Sequence, residues 1–235
     1  MSDVLILTHI DYCSPAHLAE VLHRRGIAHD VLRVDLGELQ GYDLQRPKAV
    51  AVMGGPMSVN DPLPWITDEV EALRQLIACD VPVIGHCLGG QLLARALGAP
   101  VTRMPYTESG WQPLQRLPDA TSSPWLAHLP EQVEIFQWHG DTFAIPEGAQ
   151  PLLSSRWCAN QAFAWGDRVL ALQGHPEMTD ALIEQWLTDW SHLLDPSQPS
   201  QQSLEQMRAQ LAQKVRALNK VAEGFYAHWL NLAGL

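Results

Sequence analysis

The apolar residues of this chain fall into short runs separated by amphipathic stretches of helical period. Val-Leu-Ile-Leu at 4–7, Val-Ala-Val-Met at 50–53, Val-Pro-Val-Ile at 81–84 and Val-Leu-Ala-Leu at 169–172 show no polar alternation. Between the first two, residues 15–25 place Leu18, Val21 and Leu22 on one helical face, and residues 66–78 do the same with Ile66, Val70 and Leu73. Strands that lose alternation are buried on both faces, as in a parallel sheet layered by helices. The pattern therefore predicts strands at 4–7, 28–34, 49–53, 81–85 and 169–173, helices at 15–25 and 66–78, and an α/β fold with a mostly parallel sheet covered on both faces. Residues 100–170 are richer in proline, tryptophan and short strand-like runs (133–136, 152–155, 162–165), which predicts antiparallel additions to that sheet.

Further on, a helix is predicted from a Thr179 cap to residue 194. A short linker with prolines at 196 and 199 follows. Leu204, Leu211, Leu218, Phe225 and Leu232 then recur every seven residues, the stripe of a long C-terminal helix over 201–232 that Gly224 bends or ends. The expected organisation is a catalytic-type domain over 1–194 and this helix packed on it, on a second copy or on a partner.

The chemistry concentrates at two strand ends. Gly85-His86-Cys87-Leu88-Gly89-Gly90-Gln91 joins the fourth predicted strand to a helix through a tight, glycine-flanked turn. Such a turn exposes its apical side chain above a sheet. It also sets the Cys87 sulfur at a helix N-terminus, where unpaired N–H groups favour an anion. His86, the neighbour at a strand end, points the other way, into a helical layer. Downstream, the last strand ends in Gly174-His175-Pro176-Glu177. Residues two apart in extended chain face one side, so His175 and Glu177 can address one cleft, with Pro176 stiffening the pair. A nucleophile, its base and an orienting carboxylate then stand in the order Cys87, His175, Glu177.

Those two motifs resemble the signatures of the class I glutamine amidotransferase family. Two further segments strengthen the resemblance: the strand ending in Gly54-Gly55-Pro56, and Phe136-Gln137-Trp138-His139-Gly140-Asp141, similar to the GMP-synthetase branch. The resemblance spans roughly residues 45–180 and implies a flavodoxin-like fold. It implies attack by Cys87 on the side-chain amide of glutamine or a γ-glutamyl relative, with a γ-glutamyl thioester intermediate and release of ammonia. It further implies an oxyanion hole from the N–H groups of Gly55 and Leu88, and a substrate pocket touched by Gln91, Trp138 and His139. Asp141 is shared between a pocket role and a turn cap. Glu108-Ser109-Gly110-Trp111 also resembles a family segment near the pocket, with Tyr106 and Trp111 equally readable as a loop packed on the core.

Composition narrows the remaining choices. With 46% apolar and 17% charged residues among 235, the chain has the profile of a globular protein. A net charge of −11 without a Lys/Arg cluster argues against nucleic acid or an anionic membrane as partner. The start of the chain has no basic leader, no apolar stretch reaches membrane-spanning length, and the four cysteines show no paired spacing, so a reduced, cytoplasmic protein is expected. Cys13, Cys79 and Cys158 read as packing residues. The histidines form no metal-type pair with a carboxylate, so no metal and no cofactor are expected. Neither a pyrophosphatase nor a phosphate-binding P-loop motif occurs, so any use of the released ammonia needs a synthase partner. Three readings stay open: a glutaminase subunit serving a synthase, a free-standing γ-glutamyl peptide or amide hydrolase, and a regulatory or binding module of the same fold.

Overall fold

The computed structural model describes residues 2–130, 132–195 and 197–235. In chain order the elements are β1 (Val4–Thr8), α1 (Ala16–Arg24), β2 (His29–Arg33), β3 (Ala49–Val52), α2 (Pro64–Ala78), β4 (Val83–His86), α3 (Leu88–Ala96), β5 (Val101–Arg116), β6 (Val133–Phe143), β7 (Gln150–Ser154), β8 (Ala162–Trp165), β9 (Val169–Leu172), α4 (Asp180–Asp189), α5 (Leu204–Arg208) and α6 (Leu211–Leu232). The strands of the described residues form one curled mixed sheet in the order β2-β1-β3-β4-β9-β8-β7-β5-β6. The first five are parallel. The pairs from β9 out to β6 are antiparallel.

The parallel half follows from its apolar runs. Every residue of β1, β3 and β9 is buried. Alternate side chains feed two cores: Leu5, Leu7, Val50 and Val52 pack with α2 and α3, while Val4, Ile6, Ala49 and Ala51 pack with α1, α4 and α6. α3 lies so close to β3 that a Cβ on Gly89 would stand 2.2 Å from the Val52 carbonyl oxygen. Only glycine permits that approach, and it brings the N-terminus of α3 onto the strand ends. No described helix is long and apolar enough to cross a membrane.

The structure departs from the sequence expectations in several places. The segment around Tyr106 and Trp111 is not a loop but part of β5, a 16-residue strand. Its pairing with β6 shifts register between Arg103 and Glu108. Pro105, Gly110 and Pro113 broke the apolar alternation that would have announced it. Trp111 is buried in the core, whereas Tyr106 is exposed. Second, β6 continues through Trp138 to Phe143, past the predicted end at 136. Third, the seven-residue stripe makes two helices rather than one. Gln210 adopts a left-handed φ of 56°, and Trp111 Nε1–H donates to Met207 O at 2.9 Å, the carbonyl that a continuous helix would use for residue 211.

The stripe is covered by its own chain: Leu218, Phe225 and Trp229 sit in the core, with Leu204, Leu211 and Leu232 packed at its edge. Gly224 does not end α6. A Cβ there would fall 1.8 Å from His128 Cδ2, so this glycine admits the His128 ring onto the helix. Ahead of α6, α4 begins on the expected cap, Leu182 N–H donating to Thr179 Oγ1 at 3.3 Å, but stops at Asp189, before a short 3-10 turn at Ser191–Leu193.

Candidate active site

Cys87 occupies the apex between β4 and α3 with φ 51° and ψ −108°, a conformation that L-residues rarely adopt. The turn is held by Cys87 N–H to Leu172 O at 2.8 Å and Gln91 N–H to Cys87 O at 3.0 Å. The carboxyl ends of β3, β4 and β9 therefore converge, as active sites on such sheets do. His175 and Glu177 follow β9. His175 Nδ1–H donates to Glu177 Oε1 at 2.7 Å, and both residues are buried. The base and the nucleophile share one neighbour: a Cβ on Gly54 would lie 2.9 Å from His175 Cε1 and 3.6 Å from Cys87 Cβ. Trp186 of α4 meets the His175 ring edge-on at 4.9 Å between centroids.

Electrostatics favour an ionised pair here. Burial pulls the His175 pKa down, but the Glu177 charge, the Cys87 sulfur nearby and the hydrogen bond to Glu177 outweigh it, and the net direction is up. Burial raises Glu177, and the charges of His175 and His86 overcome it, so Glu177 lies below the usual carboxylate range. His86 is different. Its ring is buried edge-on to Tyr226 of α6 at 5.9 Å, on the helical side as expected, and burial lowers its pKa to about 4. Neither nitrogen has a hydrogen-bond partner among the described residues.

A cavity of about 350 Å³ opens over Cys87, with Gly55, Gln91, Trp138, His139, Asp141 and His175 among its lining residues. The volume suits a small molecule. Trp138 lies along β6 with its carbonyl 4.0 Å from Cys87 Sγ. Gln91 Nε2 donates to Asp141 O at 3.3 Å and to Gln173 Oε1 at 3.4 Å. Gln173 also places its Nε2 3.8 Å from Cys87 Sγ, a contact that the sequence did not announce. Asp141 accepts from Ser58 Oγ at 2.6 Å and faces Arg103 at 3.5 Å. Leu88 is the first residue of α3, with its N–H at the unpaired end of the helix. Gly55 lies close to Leu88, since its Cβ would meet Leu88 Cδ2 at 2.9 Å.

His139 is tied down on both sides of its ring, Nδ1 to Asp141 O and Nε2 to Glu108 Oε2, each at 2.9 Å. Glu108 accepts in addition from Gln161 Nε2 at 2.6 Å and Ser155 Oγ at 2.5 Å. With Cys158, these two groups lie within 4.8 Å of one another. Hydrogen bonds already occupy both carboxylate oxygens and both ring nitrogens, and burial raises the Cys158 thiol to about 11. The trio therefore reads as a closed hydrogen-bond network rather than a metal centre.

Comparison with known proteins now decides the family. Residues 10–189 match the family described as glutamine amidotransferase class-I. The chain belongs to the class I glutamine amidotransferase family. It is 30% identical over 165 residues to the glutamine amidotransferase-like protein YfeJ of Salmonella typhimurium, covering 68% of this chain and 69% of that one. It is 34% identical over 133 residues to the glutamine-hydrolysing GMP synthase of Thermomicrobium roseum, which is 56% of this chain but only 24% of the synthase. Among solved structures, a glutamine amidotransferase from Methylobacillus flagellatus superposes with a TM-score of 0.93 at 36% identity, over 99% of this chain and 95% of that one. The amidotransferase fold thus covers the C-terminal helices as well as the motif-bearing sheet.

Proposed function

We propose that this amidotransferase hydrolyses the side-chain amide of glutamine, with Cys87 as nucleophile, His175 as proton carrier and Glu177 as the group that orients it. The observation that carries this is the asymmetry of His175. Its Nδ1 is fixed on Glu177, while Nε2 is buried with no hydrogen-bond partner among the described residues, in a ring that shares the Gly54 backbone with Cys87 as a close neighbour. A ring held on one nitrogen and unengaged on the other can pass a proton.

The sulfur attacks the amide carbon, and the C=O electron pair becomes an oxyanion held by the N–H groups of Gly55 and Leu88. One such donor is worth on the order of 10²–10³ in rate. Collapse of the tetrahedral species breaks the C–N bond as His175 delivers a proton to the leaving nitrogen, and ammonia departs from a γ-glutamyl thioester. His175 then takes a proton from water, whose oxygen attacks the thioester and returns glutamate and Cys87. Gln91, Trp138 and His139 border the substrate; His139 acts through the wall it braces, since neither of its nitrogens is unengaged.

The similarity to glutamine-hydrolysing GMP synthases favours a separate synthase as consumer of the ammonia. The second reading, hydrolysis of larger γ-glutamyl amides without a partner, is supported by the outer lining of the cavity. Arg103, Trp190 and Leu193 lie there and offer contacts to a larger leaving amine. Ammonia release from glutamine and amine release from γ-glutamyl peptides, measured side by side, separate the two. Cys87→Ala must abolish both, with a loss of at least about 10⁴-fold; hydrolysis that survives it would overturn the proposal.

A further inference from the structure

A third buried histidine–glutamate contact lies beneath the Gly54-Gly55-Pro56 loop. His9 follows β1 and Glu69 belongs to α2, and neither is exposed to solvent. His9 Nε2 stands 2.9 and 3.1 Å from the two Glu69 oxygens, and its Nδ1 stands 3.1 Å from the carbonyl oxygen of Gly54. Trp65 stacks on the ring at 5.2 Å. A carbonyl and a carboxylate can only accept, so both ring nitrogens donate and the ring is the imidazolium. Its pKa moves accordingly: burial lowers it most, but Glu69 and the Gly54 bond together carry it upward.

An ion pair desolvated this completely is a poor source of stability, because apolar residues of the same volume serve as well or better. Its value lies in what it holds. The Gly54 carbonyl and the Gly55 N–H belong to one peptide unit, and the described residues contain no cis bond. In a trans unit the two groups point in opposite directions, so fixing the carbonyl aims the N–H. Glycines on both sides leave this unit with little steric restraint of its own. Among the described residues no acceptor faces the Gly55 N–H, and Gly55 lines the cavity over Cys87.

We infer that His9 and Glu69 are positioning residues: they clamp the Gly54–Gly55 peptide so that the Gly55 N–H faces the reacting carbonyl before substrate arrives. This rests on Gly55 being an oxyanion donor, as proposed above. The clamp acts through a peptide and touches no substrate.

The test compares His9→Leu, His9→Asn and Glu69→Gln with the unaltered chain in three assays. His9→Leu removes the donor to Gly54 and is expected to lower kcat for glutamine on the order of 10²-fold, with KM changed less than about three-fold. His9→Asn, which can still donate to Gly54, should recover part of the loss. Glu69→Gln, whose neutral partner ring can donate from only one nitrogen, should fall between them. Alkylation of Cys87 by iodoacetamide forms no oxyanion and should keep its rate in all three. Crystal structures of the variants should show the Gly54–Gly55 peptide turned in His9→Leu. Unchanged kcat, or alkylation falling in step with kcat, would overturn the clamp. If the unaltered chain fails to hydrolyse glutamine, the functional reading fails, and the peptide orientation in His9→Leu still decides the clamp: turned supports it, unmoved overturns it.

Discussion

His175–Glu177 and His139–Glu108 border the same cavity, with contacts of 2.7 and 2.9 Å, yet their surroundings differ. In the second pair every polar atom is engaged: both nitrogens of His139 have hydrogen-bond partners, and Glu108 also accepts from Ser155 and Gln161. In the first pair, His175 Nε2 and Glu177 Oε2 have no hydrogen-bond partner among the described residues. The closed pair ties β5 and β6 to the turn before β8 and builds a wall. The open pair keeps a nitrogen available beside a sulfur. A buried histidine next to a glutamate is therefore not in itself a base; what matters is the nitrogen left over.

Exchanging single atoms in the two pairs sharpens this contrast. Glu177→Gln removes the charge that sets the His175 tautomer, and turnover of glutamine should fall about 10⁴-fold while the melting temperature changes far less than turnover does. His175→Asn should fall at least as far. Steady-state kinetics checks both, and a loss under ten-fold would merge the two pairs into one structural class. Glu108→Gln should do the reverse. Breaking a buried, hydrogen-bonded pair costs about 3–5 kcal/mol, read by denaturant unfolding, whereas kcat of the folded fraction should stay within about ten-fold of the unaltered chain.

His86, behind the open pair, gives the smallest effect. Its folded-state pKa is lowered to about 4, so between about 6.5 and 4 the unfolded chain binds a proton that the folded chain does not. Stability must then fall as pH drops through that window. In His86→Leu this contribution is gone, and the decline of the melting temperature between pH 6.5 and 4 should be shallower. At pH 7 the substitution should be close to neutral, because neither ring nitrogen loses a partner. An equally steep decline would place the acid sensitivity elsewhere.

Much of the parallel half was legible because its signals are local. The runs at 4–7, 50–53, 81–84 and 169–172 needed no partner to be read as buried strands, and the Cys87 turn and the His175–Glu177 spacing lie within a few residues of strand ends. What stayed hidden depends on residues far apart in the chain. The Trp111 contact that takes the Met207 carbonyl and ends α5 joins positions 96 residues apart. Gln173 beside Cys87 and His128 in the notch at Gly224 likewise exist only after folding. β5 hid behind its own prolines and glycine. One missed signal was present: Glu69 sits on the apolar face of α2 among Ile66, Val70 and Leu73, where a charge requires a buried partner. Nothing near it in sequence named that partner as His9.

The central claim is that Cys87, and no other thiol, is the nucleophile of a glutamine-sized pocket. The other cysteines provide internal controls: Cys79 is exposed, Cys13 and Cys158 are buried, and burial, with Cys87 and Glu177 nearby, pushes the Cys13 thiol well above its ordinary range. Mass spectrometry after treatment with a glutamine-mimicking electrophile measures this directly. The account predicts stoichiometric labelling of Cys87 alone, slowed by glutamine and lost in step with hydrolysis. Labelling spread over Cys79 and the other thiols, or hydrolysis that persists on a fully labelled Cys87, would contradict it.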